Sequence, residues 1–196
     1  MASLDDLTWP VRTDRLSLRR PVAGDAEATY AYRRLPEVAE WLTFLPSDLA
    51  SFTERFESAD WQATTVVVEC DGAVVGELSI RSQDGWSQKE VAEQAAGVEA
   101  EIGWVIAPEH QGRGYATEAA RAALAICFEG LGVRRVTAGC FVANEPSWRI
   151  METIGMRREY HSIRDGLHRT RGWLDGYEYA MLADEWRRGE SAPGPR

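Results

Sequence analysis

Val98-Glu99-Ala100-Glu101-Ile102-Gly103-Trp104-Val105-Ile106-Ala107 alternates along its length, puts Ala100, Ile102, Trp104 and Ile106 on one side, and stops at Pro108. Period-two alternation predicts a half-buried strand. From Tyr115 to Leu131 the small and apolar positions 116, 119, 120, 123, 124, 127 and 131 recur at helical spacing, which predicts a long helix with one face on a sheet. Gly130 and Gly132 end it, and Val133–Val142 returns to strand composition. A strand, a long helix and a strand in succession form a crossover, which requires a parallel pairing or insertion.

The flanking segments are mostly antiparallel in character. Thr64–Cys70 and Ala73–Ile80 are β-branched runs joined by Asp71-Gly72, the pair that supplies the positive φ angles of a type I′ hairpin turn. Asp14–Arg19 alternates as a strand, and after Pro21 a helix follows over Ala26–Arg34 with Asp25 placed to cap it. Ser51 with Glu54 reads as a capping box for a short helix carrying Phe52 and Phe56. Pro146 opens a helix that runs to Ile154 and stops at Gly155; strands follow over Glu159–Arg164 and Gly176–Leu182. The fold class is therefore α/β: a mixed, mostly antiparallel sheet with helices packed on it. Residues 1–188 make one domain, and the Pro/Gly-rich 189–196 is expected to be a disordered tail.

With 196 residues, 44% hydrophobic and 27% charged, the chain has room for one real core and little for a second. The longest nearly apolar stretch, Ala119–Phe128, is too short to span a bilayer and carries Arg121. The acidic N-terminus is followed by no apolar run, so a cytoplasmic location and no membrane partner are expected. A net charge of −9 argues against a nucleic-acid surface. Cys70, Cys127 and Cys140 have no metal-ligand spacing and read as small core residues; no metal site is expected. The charge is uneven. Residues 157–171 carry five Arg against two acids, and 84–101 carry five acids against Lys89: either one face favours an anion and another an amine, or both are ordinary solvated faces.

The segment Pro108–Thr117 sits where a strand meets a helix. A helix N-terminus presents unpaired N–H groups and a partial positive charge, so it favours an anion, and Gly112, Gly114 and Ala116 let a phosphate approach the backbone. It is not a Walker loop, because the only lysine is Lys89, nor a Rossmann fingerprint, because Thr117 stands where the third glycine belongs.

Gln111-Gly112-Arg113-Gly114-Tyr115-Ala116 resembles the Gln/Arg-x-x-Gly-x-Gly/Ala acyl-CoA loop of the GCN5-related N-acetyltransferase (GNAT) superfamily. Glu101–Ile106 resembles the strand before that loop. Asn144-Glu145-Pro146-Ser147 with Ile154-Gly155-Met156, Arg12–Leu16, and Gly176–Leu182 with Glu185-Trp186 resemble the branch that acetylates ribosomal-protein N-termini. The likeness covers about residues 11–187. It implies helices on both faces of the sheet, fourth and fifth strands that splay apart, and acetyl-CoA as cosubstrate. The pantetheine arm would lie beside Trp104, Val105 and Ile106 like an added strand. The diphosphate would take N–H groups from Gln111, Gly112, Arg113, Gly114, Tyr115 and Ala116, with Thr117 as a hydroxyl donor, Arg113 meeting the remaining charge and Arg149 a weaker candidate.

For the direct transfer that the resemblance implies, a fourth-strand N–H would meet the oxyanion. Asn144 would orient the pantetheine or the amine, unless it only caps its helix; Ser147 would help protonate the departing thiolate, unless it is only a helix-start serine. Many relatives have a tyrosine seven residues after the asparagine, whereas this chain has Met151, so Ser147 or water must serve, with Tyr160 in reserve. Glu101 is the candidate base, acting through water; an exposed strand carboxylate is its plain alternative. An α-amine, titrating near ~8 against ~10.4 for lysine, needs only a weak base. His110 reads as a turn residue, His161 and His168 lie among arginines, and Trp41 or Trp86 would wall the acceptor site. The implied acceptor is a protein or peptide N-terminal α-amine, with a small amine such as an amino acid, polyamine or aminoglycoside next. A non-catalytic CoA-binding regulator is a rival that Met151 keeps in view, and another kind of nucleotide-binding protein is a second. The resemblance also allows a homodimer.

Overall fold

The computed structural model describes residues 2–191. Eight strands form one sheet: β1 (Val11–Arg12), β2 (Ser17–Arg19), β3 (Thr65–Cys70), β4 (Ala73–Gln83), β5 (Glu99–Ile106), β6 (Arg135–Phe141), β7 (Arg157–His168) and β8 (Gly172–Leu182). Their order is β1-β2-β3-β4-β5-β6-β8-β7. Every neighbouring pair is antiparallel except β5 with β6, the parallel pair required by the crossover. The helices are α1 (Asp25–Arg33), α2 (Pro36–Ala39), α3 (Leu49–Phe56), α4 (Ala59–Thr64), α5 (Tyr115–Ala125), α6 (Glu145–Thr153) and α7 (Ala183–Ser191). No helix among the described residues is long and apolar enough to cross a membrane.

The Asp71-Gly72 turn has φ of 52° and 79°, both positive as a type I′ turn demands. Crossover helix α5 presents Ala119, Ala120, Ala123 and Leu124 to a core with Val66, Leu78, Ala100, Ile102 and Val136. The small alanines let the helix lie close to the sheet, and a π turn over Ile126–Gly130 extends it before Gly132 turns at positive φ. On the other face, Phe52 and Phe56 of α3 are fully buried against Ala26 of α1, Tyr30 and Trp61. Each such side chain contributes about 1.5–3 kcal/mol of burial.

Several local expectations shift. Asp25 is not the cap of α1. Gly24 is, and the Asp25 carboxylate instead accepts the Val22 N–H at 2.7 Å and pairs with Arg19 at 2.6 Å. The cap of α3 is Asp48, whose carboxylate accepts the Ser51 N–H at 2.8 Å, so Ser51 lies inside the helix. The last two strands are longer than their composition suggests and form one hairpin, bulged between Ser162 and Gly166. α7 continues through Ser191, and residues 192–196, the rest of the segment expected to be a tail, lie outside the described residues.

The feature that makes room for a site is a fork. β5 and β6 pair only over Glu99–Glu101 with Arg135–Thr137 and then part, while β6 stays paired with β8 through Phe141. Past Glu101, one edge of β5 has no strand beside it.

Candidate active site

A cavity of about 1210 Å³ fills the fork and reaches the first turn of α5. At one end it is lined by Gln111, Gly112, Gly114, Tyr115, Ala116 and Thr117. Gly112 and Gly114 adopt φ of 71° and 81°, a region that disfavours a β-carbon, and this twist brings successive amides round to one side. The N–H groups of Gly112 through Thr117 have no acceptor among the described residues, and no side chain caps α5. Six free amides at a helix start form an anion cradle. Arg113, by contrast, does not line the cavity. Arg149 does, but its guanidinium is paired with Glu145 at 2.5 Å and is two-thirds exposed.

The middle of the cavity is the fork itself, walled by Ile102, Gly103, Trp104, Val105 and Ile106 on one side and Gly139, Cys140 and Phe141 on the other. The Ile106 carbonyl is already taken by the Gln111 side chain at 2.9 Å, which leaves the upstream β5 backbone as the open edge. Asn144 and Ser147 line the cavity at the start of α6. The Asn144 side chain makes no capping bond although Asn144 occupies the N-cap position, so its amide is available. Burial pushes the Cys140 thiol up to about 11, with the Ser147 hydroxyl and the Trp148 N–H opposing the shift. It is therefore protonated, and a poor nucleophile, at neutral pH. Met151, almost fully buried, also lines the cavity.

Glu101 stands apart from this group. It occupies the last paired position of the fork and does not line the cavity; its carboxylate accepts from Gln83 at 2.9 Å and lies 3.6 Å from Arg81. Glu178, which the sequence did not single out, does line the cavity. So do Glu37, Asp165, Ser162 and Tyr177, together with Tyr160. These residues come from α2, β7 and β8; in the sequence Tyr160 stands only in reserve, the Gly176–Leu182 motif assigns no role to Tyr177 or Glu178, and nothing local singles out Glu37, Ser162 or Asp165. His110 ends a 3-10 turn, and its Nδ1 is buried without a hydrogen-bond partner at the cavity edge. Trp41 lines the cavity, whereas Trp86 is 95% exposed and walls nothing.

The arginine-rich stretch around residue 169 does not serve as an anion face. Arg169 donates to the carbonyls of Ala39 (2.8 Å) and Leu42 (3.0 Å), and Arg171 pairs with Glu40. The buried His168 donates through Nε2 to the Glu40 carbonyl at 3.0 Å, a tautomer fixed by the Thr170 and Arg171 N–H groups pointing at Nδ1. Trp41 packs on His168 and Phe141 at ring distances of 5.7 and 6.4 Å. The β7–β8 hairpin thus grips α2, and the two together wall the end of the cavity remote from α5.

The sequence model of the acetyltransferase (GNAT) domain matches residues 15–157. The chain belongs to the GNAT acetyltransferases. The enzyme is 30% identical over 179 residues to the uncharacterized N-acetyltransferase YnaD of Bacillus subtilis, spanning 90% of this chain and 98% of that protein. It is also 30% identical over 183 residues to YdaF of the same organism, provisionally named a ribosomal N-acetyltransferase, spanning 88% of this chain and 94% of YdaF. Among solved structures, a GNAT acetyltransferase from Bacillus anthracis matches with a TM-score of 0.72 and 30% identity over 90% of this chain and all of that one. A spermidine N-acetyltransferase variant from Vibrio cholerae shares the fold at a TM-score of 0.72 and 18% identity, covering 91% of this chain and 99% of that one. The acetyltransferase therefore shares the mixed α/β fold of these relatives, and GNAT enzymes generally draw on acetyl-CoA.

Proposed function

We propose that the enzyme moves an acetyl group from acetyl-CoA directly to a primary amine, and that the acceptor is the N-terminal α-amine of a protein or peptide. The observation that carries the donor half is the row of unpartnered amides from Gly112 to Thr117 opening onto a fork with a free strand edge. The amides suit a diphosphate, with the Thr117 hydroxyl beside them; the free edge of β5 near Trp104 and Val105 suits an amide-bearing arm. When bound, acetyl-CoA supplies an activated thioester carbonyl. The chain supplies orientation through the Asn144 amide, a proton for the departing sulfur through Ser147 or water, and a β5 N–H for the developing negative oxygen. Burial, which pushes the Cys140 thiol up to about 11, disfavours it as a nucleophile and favours direct transfer.

The amine must arrive neutral. Glu178, which lines the cavity and whose carboxylate lies 4.0 Å from Arg135, takes the place of Glu101 as the carboxylate that receives its proton through water; Glu101 does not line the cavity and is engaged by Gln83 and Arg81. A weak carboxylate base is adequate for an α-amine and poor for a lysine. The provisional name of YdaF supports the same acceptor. A polyamine is the second reading, supported by Glu37 and Asp165, which line the acceptor end and carry no ion pair among the described residues.

The test is release of free CoA thiol from acetyl-CoA with a panel of short peptides, spermidine, amino acids and an aminoglycoside. Release with peptides, lost on acetylating their N-terminus beforehand and reduced ~10²-fold or more in kcat by Ser147→Ala or Asn144→Ala, is the expected result. CoA binding with no thiol release for any amine would leave a non-catalytic CoA-binding regulator.

A further inference from the structure

The Arg12-Thr13-Asp14-Arg15-Leu16 motif has no role in the transfer described so far, yet the fold brings it against the outer side of the amide loop. The Arg15 Nη1 donates to the Arg113 carbonyl at 2.8 Å, and Nε donates to Glu118 Oε2 at 2.7 Å. The Arg15 backbone N–H and the Thr13 hydroxyl both donate to Glu118 Oε1, at 2.9 and 2.5 Å. The guanidinium also lies 4.9 Å over the Tyr115 ring, and the Cys70 thiol donates to the Tyr115 hydroxyl at 3.3 Å. Glu118 is thus held by three donors in the first turn of α5, and Arg15 bridges from it to the loop.

The Arg113 carbonyl and the Gly114 N–H belong to one trans peptide, so they point in opposite directions. Tethering the carbonyl to Arg15, outside the cavity, aims the Gly114 N–H inward. The next peptide is set in the same way: the Gly114 carbonyl accepts the Glu118 N–H at 3.1 Å, which turns the Tyr115 N–H away from the helix and towards the opening. Gly114, at φ 81°, lines the cavity, and Arg113 does not. Arg15 remains half exposed, with 48% side-chain exposure, so its ion pair with Glu118 adds little to overall stability. What it fixes is a direction.

We propose that Thr13, Arg15 and Glu118 form a positioning device that pre-aims the Gly114 and Tyr115 amides at the diphosphate of the donor. This rests on the reading that the loop takes that diphosphate. Arg15 touches the carbonyl behind the amides rather than the donor itself. Its effect therefore falls on donor affinity, and only for donors that carry a diphosphate.

The experiment compares wild type with Arg15→Met, which keeps an apolar stem but loses every donor, and Arg15→Lys, which keeps one charged donor group. Calorimetric titration with CoA gives a Kd; kinetics with acetyl-CoA and with S-acetylpantetheine, which lacks the diphosphate, gives KM and kcat for each. Expected for Arg15→Met is a CoA Kd and an acetyl-CoA KM at least tenfold higher, kcat within twofold, and kcat/KM for S-acetylpantetheine within twofold; Arg15→Lys falls between. Unchanged CoA affinity in Arg15→Met, or an equal loss with both donors, would overturn the proposal. If Arg15→Met does not fold, Arg15→Lys and Glu118→Gln carry the same comparison. A wild-type enzyme that binds CoA no more tightly than pantetheine would instead overturn the assignment of the loop, and this proposal with it.

Discussion

Arg33 on α1 and Glu77 on β4 form an ion pair nearly sealed from solvent, with side-chain exposures of 10% and 5%. Glu77 stands opposite Val105 in the sheet register, so the pair ties α1 to the part of β5 that lines the fork. Burial pushes the Glu77 carboxyl above its ordinary value, and the Arg33 guanidinium opposes that shift. Removing the guanidinium leaves an uncompensated buried carboxylate, for which the cost is about 3–5 kcal/mol; replacing both partners with apolar groups is often neutral or better. Arg33→Met should therefore destabilise the enzyme by about 3–5 kcal/mol, and Arg33→Met/Glu77→Leu should regain most of the loss. At about 2–4 °C per kcal/mol for a domain of this size, the single variant melts about 6–20 °C lower. The pH dependence has a definite sign. A carboxyl with a raised folded pKa is penalised as pH climbs from its unfolded value, near 4.5, through its folded value. Arg33→Met raises the folded value further, so its deficit against wild type is larger at pH 7 than at pH 4. Urea denaturation of wild type, Arg33→Met, Glu77→Leu and the double variant at both pH values measures all of this. An Arg33→Met protein within about 1 kcal/mol of wild type, or a double variant no more stable than the single, would refute the reasoning.

Gly114→Ala puts a β-carbon on a residue at φ 81° and 3.3 Å from the Arg15 guanidinium, so it should cost about 1–2 kcal/mol in a melting experiment and weaken CoA in a calorimetric titration. Gly112→Ala, also at positive φ but with nothing within 4 Å, should incur the backbone cost without the collision, and a smaller loss of CoA affinity. Burial pulls the Glu118 carboxyl up, but the hydrogen bonds from Thr13 and Arg15 outweigh it and hold the carboxyl below its ordinary 4.5. The advantage of wild type over Glu118→Gln should accordingly be full above pH 4.5 and fade as the pH falls through the lowered value, read as the difference between their melting temperatures across an acid series.

What was legible in the sequence was what is local. The Asp71-Gly72 turn, the α5 face and the small residues before Tyr115 each declare themselves within one or two turns of chain, and the crossover dictated the single parallel pair. The caps at Gly24 and Asp48 were misplaced because Asp25 and Ser51 are equally good capping residues, and only the three-dimensional partners, Arg19 and the Ser51 amide, decide between neighbours. Alternation placed Glu101 on the correct strand. It gave no sign that the pairing of β5 and β6 ends there, nor that Glu178 rather than Glu101 lines the cavity. The proposed acceptor end was hidden for a related reason: Glu37 lies more than a hundred positions before Asp165 and Glu178, and all three line one cavity only because the β7–β8 hairpin docks against α2.

The grip of the β7–β8 hairpin on α2 joins two stretches of chain separated by about 130 positions, through Arg169 to Ala39 and His168 to Glu40. If the amine enters at that end of the cavity, as proposed, it works as a hasp on the acceptor doorway. On that proposed reading, selectivity for the incoming amine can drift through changes at the hairpin tip while the donor cradle at α5 is left untouched. One scaffold can in this way keep a single acetyl source and exchange its clients.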